Sequence, residues 1–185
     1  FELKMTSLIA VLIQKIISDL KNQNKEFDIE TIIQEINNNP EADEATKKST
    51  IALFEAANSW KVFAKKDEHP TKITELIRAG TTSVLDLSIY SSTSSFNVRA
   101  LIIGLVSKKL FKQRILARKK EEIDSINHGI NFQAKEREMP LVWLFIDEAH
   151  EFLPMHEKTP ATNSLIQLLR EGRQPGISMV LATQQ

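Results

Sequence analysis

The 185-residue chain carries 24 basic and 24 acidic side chains, so no overall field draws it to nucleic acid or anionic lipid; such contacts must be local or built by several subunits. With 42% hydrophobic and 26% charged residues it has the composition of a globular domain with a sizeable core, and the absence of cysteine excludes disulfides and thiolate metal sites. Its apolar runs, such as Leu8 to Ile13 and Leu141 to Ile146, fall far short of the roughly 18 residues a membrane span needs. No signal peptide is visible, and the expected compartment is the cytoplasm. Because the chain starts at Phe1 and stops at Gln185, straight after an apolar run, it is expected to be a piece of a longer protein.

From Leu3 to Leu20 the residues Leu8, Ile9, Leu12, Ile13, Ile16, Ile17 and Leu20 repeat at helical spacing with one buried face. Asp28 suits the N-cap of a second, short helix, with Phe27 and Ile32 placed as a hydrophobic staple, and Asn37 to Pro40 ends it. A third helix is expected over Asp43 to Phe63 from Ile51, Phe54, Ala57, Trp60 and Phe63. Residues 1–69 therefore read as a helical N-terminal subdomain, and residues 70–185 as a second region.

The second region opens with a helical turn or two over Ile73 to Arg78, with Gly80 placed to end it in a left-handed conformation. Ser83 to Leu87 reads as a short strand, and Ser91 to Ser95 as a serine- and threonine-rich loop. A long helix follows from Phe96 to about Ile126, apolar in its first half and basic in its second (Lys108, Lys109, Lys112, Arg114, Arg118, Lys119, Lys120). That basic run could contact phosphates; a solvated helix face is the expected reading. His128 to Pro140 reads as a linker. Leu141 to Ile146 is a continuous apolar run, as in a parallel strand covered on both faces. Thr162 or Asn163 can cap a helix running to Gly172, and Ile177 to Thr183 is a second buried strand. Strand, helix and strand with a short return make a parallel crossover, which puts the region in the α/β class.

The chemistry concentrates where these strands end. In LVWLFIDEAH, residues 141–150, an apolar strand leads directly into Asp147 and Glu148, the Walker B pattern. A parallel strand ends at the carboxyl edge of its sheet, where α/β folds bind ligands, and here it would present two adjacent carboxylates to a nucleotide. Asp147 would hold Mg²⁺, and Glu148 would orient and polarise the attacking water. A strand that merely ends in two solvated acids is the plain alternative. The second strand ends in Thr183, Gln184 and Gln185; a glutamine amide there can donate to a γ-phosphate oxygen and accept from the water, and so sense hydrolysis. His150, after the two acids, couples hydrolysis to movement or is simply packed or solvated.

FIDEAHEFLP followed by SLIQLLREGRQPGISMVLATQQ resembles the Walker B and sensor region of HerA-like ATPases, relatives of the FtsK translocases. SVLDLS at 83–88 and the helix after it fit the preceding elements more loosely. The resemblance implies a partial RecA-like P-loop NTPase core with ATP and Mg²⁺ as cofactors. It implies an ATP-driven, hexameric DNA translocase or helicase that passes duplex DNA through a central channel and works in DNA end processing with a NurA-like nuclease. It gives Asp147 the metal, Glu148 the catalytic glutamate and Gln184 the sensor position, with Arg170 and Arg173 placed to act across a subunit boundary. Ordinary ion pairs at a helix end are the plain alternative for these two arginines.

One part of that pattern is missing. The five glycines, at 80, 104, 129, 172 and 176, supply no G-x-x-x-x-G-K-[ST] phosphate loop, which is expected upstream of Phe1. The residues in hand are therefore expected to hydrolyse essentially no ATP alone. Helicases with D-E-A-H followed by Ser-Ala-Thr are the nearest rival, but here the second strand reads Leu181, Ala182, Thr183, Gln184. A non-catalytic assembly module is the alternative of a different class.

Overall fold

The computed structural model describes residues 4, 6–24, 26–66, 68–90, 98–128 and 138–184, the last two of the 98–128 stretch by backbone alone. The chain divides into two compact units, Phe1–Pro70 and Thr71–Gln185. The Ser91 to Ser95 loop, Phe96, and residues 129–137 of the expected linker lie outside the described residues.

The first unit is three helices, each started by a side-chain cap. In α1 (Leu8–Asn22) the Ser7 hydroxyl accepts from the Ala10 amide, so the helix begins five residues later than periodicity alone suggests. In α2 (Ile29–Asn38) Asp28 accepts from the Thr31 amide at 2.8 Å and from its hydroxyl at 2.7 Å. In α3 (Glu44–Ser59) Asp43 accepts from the amides of Ala45 and Thr46. Each cap satisfies amides that the first helical turn leaves without a partner. Leu12, Ile16, Leu20, Ile29, Ile32, Ile36, Phe54 and Ala57 form one shared core, and Phe27 packs against it as the staple predicts. The third helix stops at Ser59, not Phe63, because Lys61 takes a positive φ of 53° and breaks the helical path.

The second unit mixes helices with a small parallel sheet. Its elements are α4 (Ile73–Leu76), α5 (Val98–His128), β1 (Val142–Ile146), a 3₁₀ turn at Ala149–Glu151, α6 (Thr162–Glu171) and β2 (Ile177–Leu181). Gly80 is left-handed at φ 70°, but it does not end the helix: α4 stops at Leu76, with Ile77 as an extended C-cap at φ −120° and ψ 101°. Ser83 to Leu87 does not form the expected strand: these residues join no ladder, and Val84 is 87% exposed. β-like composition cannot hold a strand without a neighbour to share its backbone hydrogen bonds.

β1 and β2 pair in parallel, in a register running from Val142 opposite Ile177 to Ile146 opposite Leu181. One face, with Val142, Leu144, Ile177 and Met179, packs on Leu110 and Phe111 of α5 and Leu168 of α6. The other face is open, with Trp143 66% and Phe145 70% exposed and their rings stacked at 6.3 Å. The expectation of cover on both faces is thus corrected: burial alternates along β1, and an unbroken apolar run hid that alternation.

A close approach and a set of threonine hydrogen bonds fix the helices. At Gly104 of α5 a Cβ would lie 2.7 Å from the Pro160 carbonyl, so only glycine lets α5 meet the loop before α6. Neither Thr162 nor Asn163 caps α6; Ala161 is at the N-cap, and the Thr159 hydroxyl accepts from the Ala161 amide. Thr159 and Thr162 both donate to the Phe152 carbonyl, which anchors the start of α6.

Arg114 corrects the reading of the basic helix face. It is fully buried, donating through Nε to the Pro175 carbonyl at 2.7 Å and through Nη1 to the Met139 carbonyl at 2.8 Å. One side chain of α5 thereby ties down the segments leading into both strands. Glu121, 3.2 Å from Nη1, compensates its charge. Arg118 pairs with Glu121 and Glu122, and Lys120 with Glu138.

Candidate functional site

Because β1 and β2 are parallel and end level with each other, the residues after them meet at one edge of the sheet. The ladder continues past the strands, with the Ala182 amide donating to the Ile146 carbonyl and the Ala149 amide to the Ala182 carbonyl, both at 2.9 Å. Between those bonds the chain must turn sharply. Glu148 does so with φ 49° and ψ 45°, a left-handed conformation that side-chain-bearing residues seldom take. The turn is held by the Asp147 carboxylate, which accepts from the Glu148 amide at 2.9 Å, and by the Glu151 amide donating to the Glu148 carbonyl.

That turn brings the Glu148 side chain to the end of β2. Gln184 Nε2 donates to Glu148 Oε1 at 2.7 Å, and His150 Nδ1 lies 3.4 Å from Oε2. His150 Nδ1 is also 3.3 Å from the Thr183 hydroxyl. Both carboxylate oxygens of Glu148 thus face a polar partner, in a setting open to water. Behind the site, Arg99 of α5 pairs with Glu151 at 2.7 Å and fastens the 3₁₀ turn to the helix layer.

Of the residues marked by sequence, Asp147, Glu148 and Gln184 come together. Arg170 and Arg173 do not join them. α6 runs back along the sheet, so its end and the following turn lie where the strands begin, with the Val142 amide bonded to the Gly176 carbonyl and the Ile177 amide to Gly172. Five-residue strands at about 3.3 Å per residue put the two edges roughly 16 Å apart. The arginines cannot serve the Asp147 and Glu148 of their own chain.

Asp147 is the residue here that could hold a hard cation such as Mg²⁺, as one carboxylate ligand among others. Its Oδ1 is spent on the Glu148 amide, which leaves Oδ2 on an exposed side chain. Among the described residues no group of three or more acidic or histidine side chains forms a cage for an ion. One carboxylate is enough where water and substrate phosphates supply the other oxygens.

Sequence reasoning missed Arg99 and put Arg114 on a solvated face; their partners Glu151 and Pro175 lie 52 and 61 residues away and leave no local pattern. Thr183 was marked only as one of a polar group, and its contact with His150 depends on strand register. Among the described residues no helix is long and apolar enough to cross a membrane. No protein-family model, no curated protein and no solved structure matches the chain.

Proposed function

We propose that Asp147, Glu148 and Gln184 form the hydrolytic edge of an ATPase, in a RecA-like core of the HerA type that drives duplex DNA through a ring of subunits. The observation that carries this reading is the 2.7 Å bond from Gln184 Nε2 to Glu148 Oε1 across two parallel strand ends. A carboxylate and an amide held side by side at the carboxyl edge of a sheet are equipped to grip one water molecule from two sides. Asp147 would hold Mg²⁺, and the ion would supply charge neutralisation on the phosphates of ATP. Glu148 orients the water and takes its proton as the oxygen attacks the γ-phosphorus, while the bond to the β-phosphate oxygen breaks to release ADP and phosphate. Gln184 then reads the change through its amide.

Arg170 and Arg173 lie at the far edge of the sheet from Asp147 and Glu148, so in this reading they act across a subunit boundary, on a neighbouring subunit's nucleotide. This fits a hexameric ring in which each site is completed by the next subunit. A NurA-like nuclease and a role in DNA end processing belong to the same proposal. No phosphate loop occurs in these 185 residues, so the chain by itself is expected to show no ATP turnover above background.

The test is DNA-stimulated ATP hydrolysis by the full-length protein. Glu148→Gln should lower kcat by roughly 10² to 10⁴, the range typical of a lost general base, with ATP binding retained. Unchanged turnover in that variant would remove Glu148 from the mechanism and the reading with it.

A further inference from the structure

His150 has no task in the hydrolysis described above, yet the fold holds it in place from both sides. Ala149 before it is buried, and its amide is bonded to the Ala182 carbonyl at 2.9 Å. Glu151 after it is paired with Arg99 of α5 at 2.7 Å. The His150 ring stands between the residues that follow the two strands: Nδ1 lies 3.4 Å from Glu148 Oε2 and 3.3 Å from the Thr183 hydroxyl. Donor accounting fixes what Nδ1 carries there. Thr183 has one hydroxyl proton and donates it to the Gln184 carbonyl at 3.2 Å, so toward His150 its oxygen can only accept. The Glu148 carboxylate oxygen only accepts as well. Nδ1 therefore bears hydrogen, because a bare lone pair in its place would face two other acceptors. The neutral ring is the Nδ1–H tautomer.

We propose that His150 is a positioning residue for Glu148: its Nδ1–H holds Oε2 and joins that oxygen to the end of β2, as Gln184 Nε2 holds Oε1. The inference rests on the ATPase reading above and adds to it the group that steadies the base. The Glu148 side chain is 38% exposed, and a single amide bond to one oxygen leaves its carboxylate free to swing. A donor on each oxygen stops that rotation. Each oxygen keeps a second lone pair, so the carboxylate can still accept the proton of an attacking water. Consecutive residues after β2 thus bear on both oxygens, Gln184 directly and Thr183 through His150.

The experiment has two arms, and the first needs no nucleotide. The ring-nitrogen NMR shifts of His150 in the 185-residue chain, at a pH where the ring is neutral, should place the proton on Nδ1. Neutral histidine in water mostly carries it on Nε2, so the outcome reports the local partners. The second arm is DNA-stimulated ATP hydrolysis by the full-length protein. His150→Ala should lower kcat roughly 10- to 100-fold with KM for ATP unchanged, as when a reacting group is held loosely. His150→Asn puts an amide N–H where Nδ1–H stood and should recover most of that loss, whereas His150→Gln, whose amide matches Nε2, should not. A merely structural role predicts no such split between asparagine and glutamine, and circular dichroism checks that all three variants are folded. An Nε2–H tautomer overturns the proposal. So does equal turnover in the three variants, or a wild-type rate in His150→Ala; with Glu148→Gln inactive, the ATPase reading then stands without this role. Unchanged turnover in Glu148→Gln overturns that reading and the role of His150 together.

Discussion

The two units of this chain reach a core by different routes. The helical unit closes on itself: three capped helices turn their apolar stripes inward onto one shared core. The mixed unit depends on distant pairings. Its two strands are separated by thirty residues of loop and helix, and buried Arg114 holds the segments before both. Local periodicity suffices for the first kind of core. The second requires polar side chains in the interior, where each must find its partners.

Removing the buried guanidinium breaks the comparison most severely. Arg114→Ala leaves the carbonyls of Pro175 and Met139 without their donor and Glu121 without one of its two arginines. The expected cost is about 3 to 5 kcal/mol, confined to the second unit. Trp60 lies in the first unit and Trp143 in the second, so chains keeping one tryptophan each report the units separately. In urea the Trp143 transition should move to lower concentration while the Trp60 transition stays in place. Equal shifts of both would mean that the units do not unfold independently.

The same contrast governs how much could be read from the sequence. The three N-terminal helices are visible because 3.6-residue periodicity and capping residues such as Asp28 act within a few positions. The Asp147 and Glu148 pair is legible for a similar reason, as a strand end marked by its own apolar run. The placement of Gln184 against Glu148 follows from strand register, which the separate runs only suggest. Arg114 is misread because nothing local distinguishes a buried arginine from the solvated lysines around it. Ser83 to Leu87 fails in the opposite sense, with strand-like residues and no neighbour for the backbone.

A smaller effect tests whether local capping governs the helical unit. The Thr31 hydroxyl, and after it the Thr31 amide, donate to Asp28 and hold its carboxyl below the ordinary 3.8. A carboxylate with a lowered folded value contributes stability that is complete above the unfolded value. That stability is lost as pH falls through the folded value, so the unit should weaken below about pH 4. Asp28→Asn keeps a good cap that does not titrate, and its acid unfolding, followed by the Trp60 signal, should be less steep than that of wild type. Asp28→Ala should cost about 1 kcal/mol at neutral pH. Parallel acid-unfolding curves for wild type and Asp28→Asn would show that the cap carboxylate does not set the acid limit.

The least effect on stability is expected where the second unit is least closed. Trp143 and Phe145 stand on the open face of the sheet, and their stacked rings cover each other instead of joining the core. Threonine at either position keeps strand propensity and removes apolar surface that the fold does not bury, so Trp143→Thr and Phe145→Thr should each change stability by only about 0.5 kcal/mol. Solubility should respond more. Adjacent exposed aromatics on a parallel sheet are a contact surface by default, since parallel strands are seldom left bare on one side. The double variant should therefore tolerate higher concentration before light scattering rises. If instead it unfolds at clearly lower urea, the open face is covered by packing that stabilises the fold, and the division between a closed unit and an open one fails.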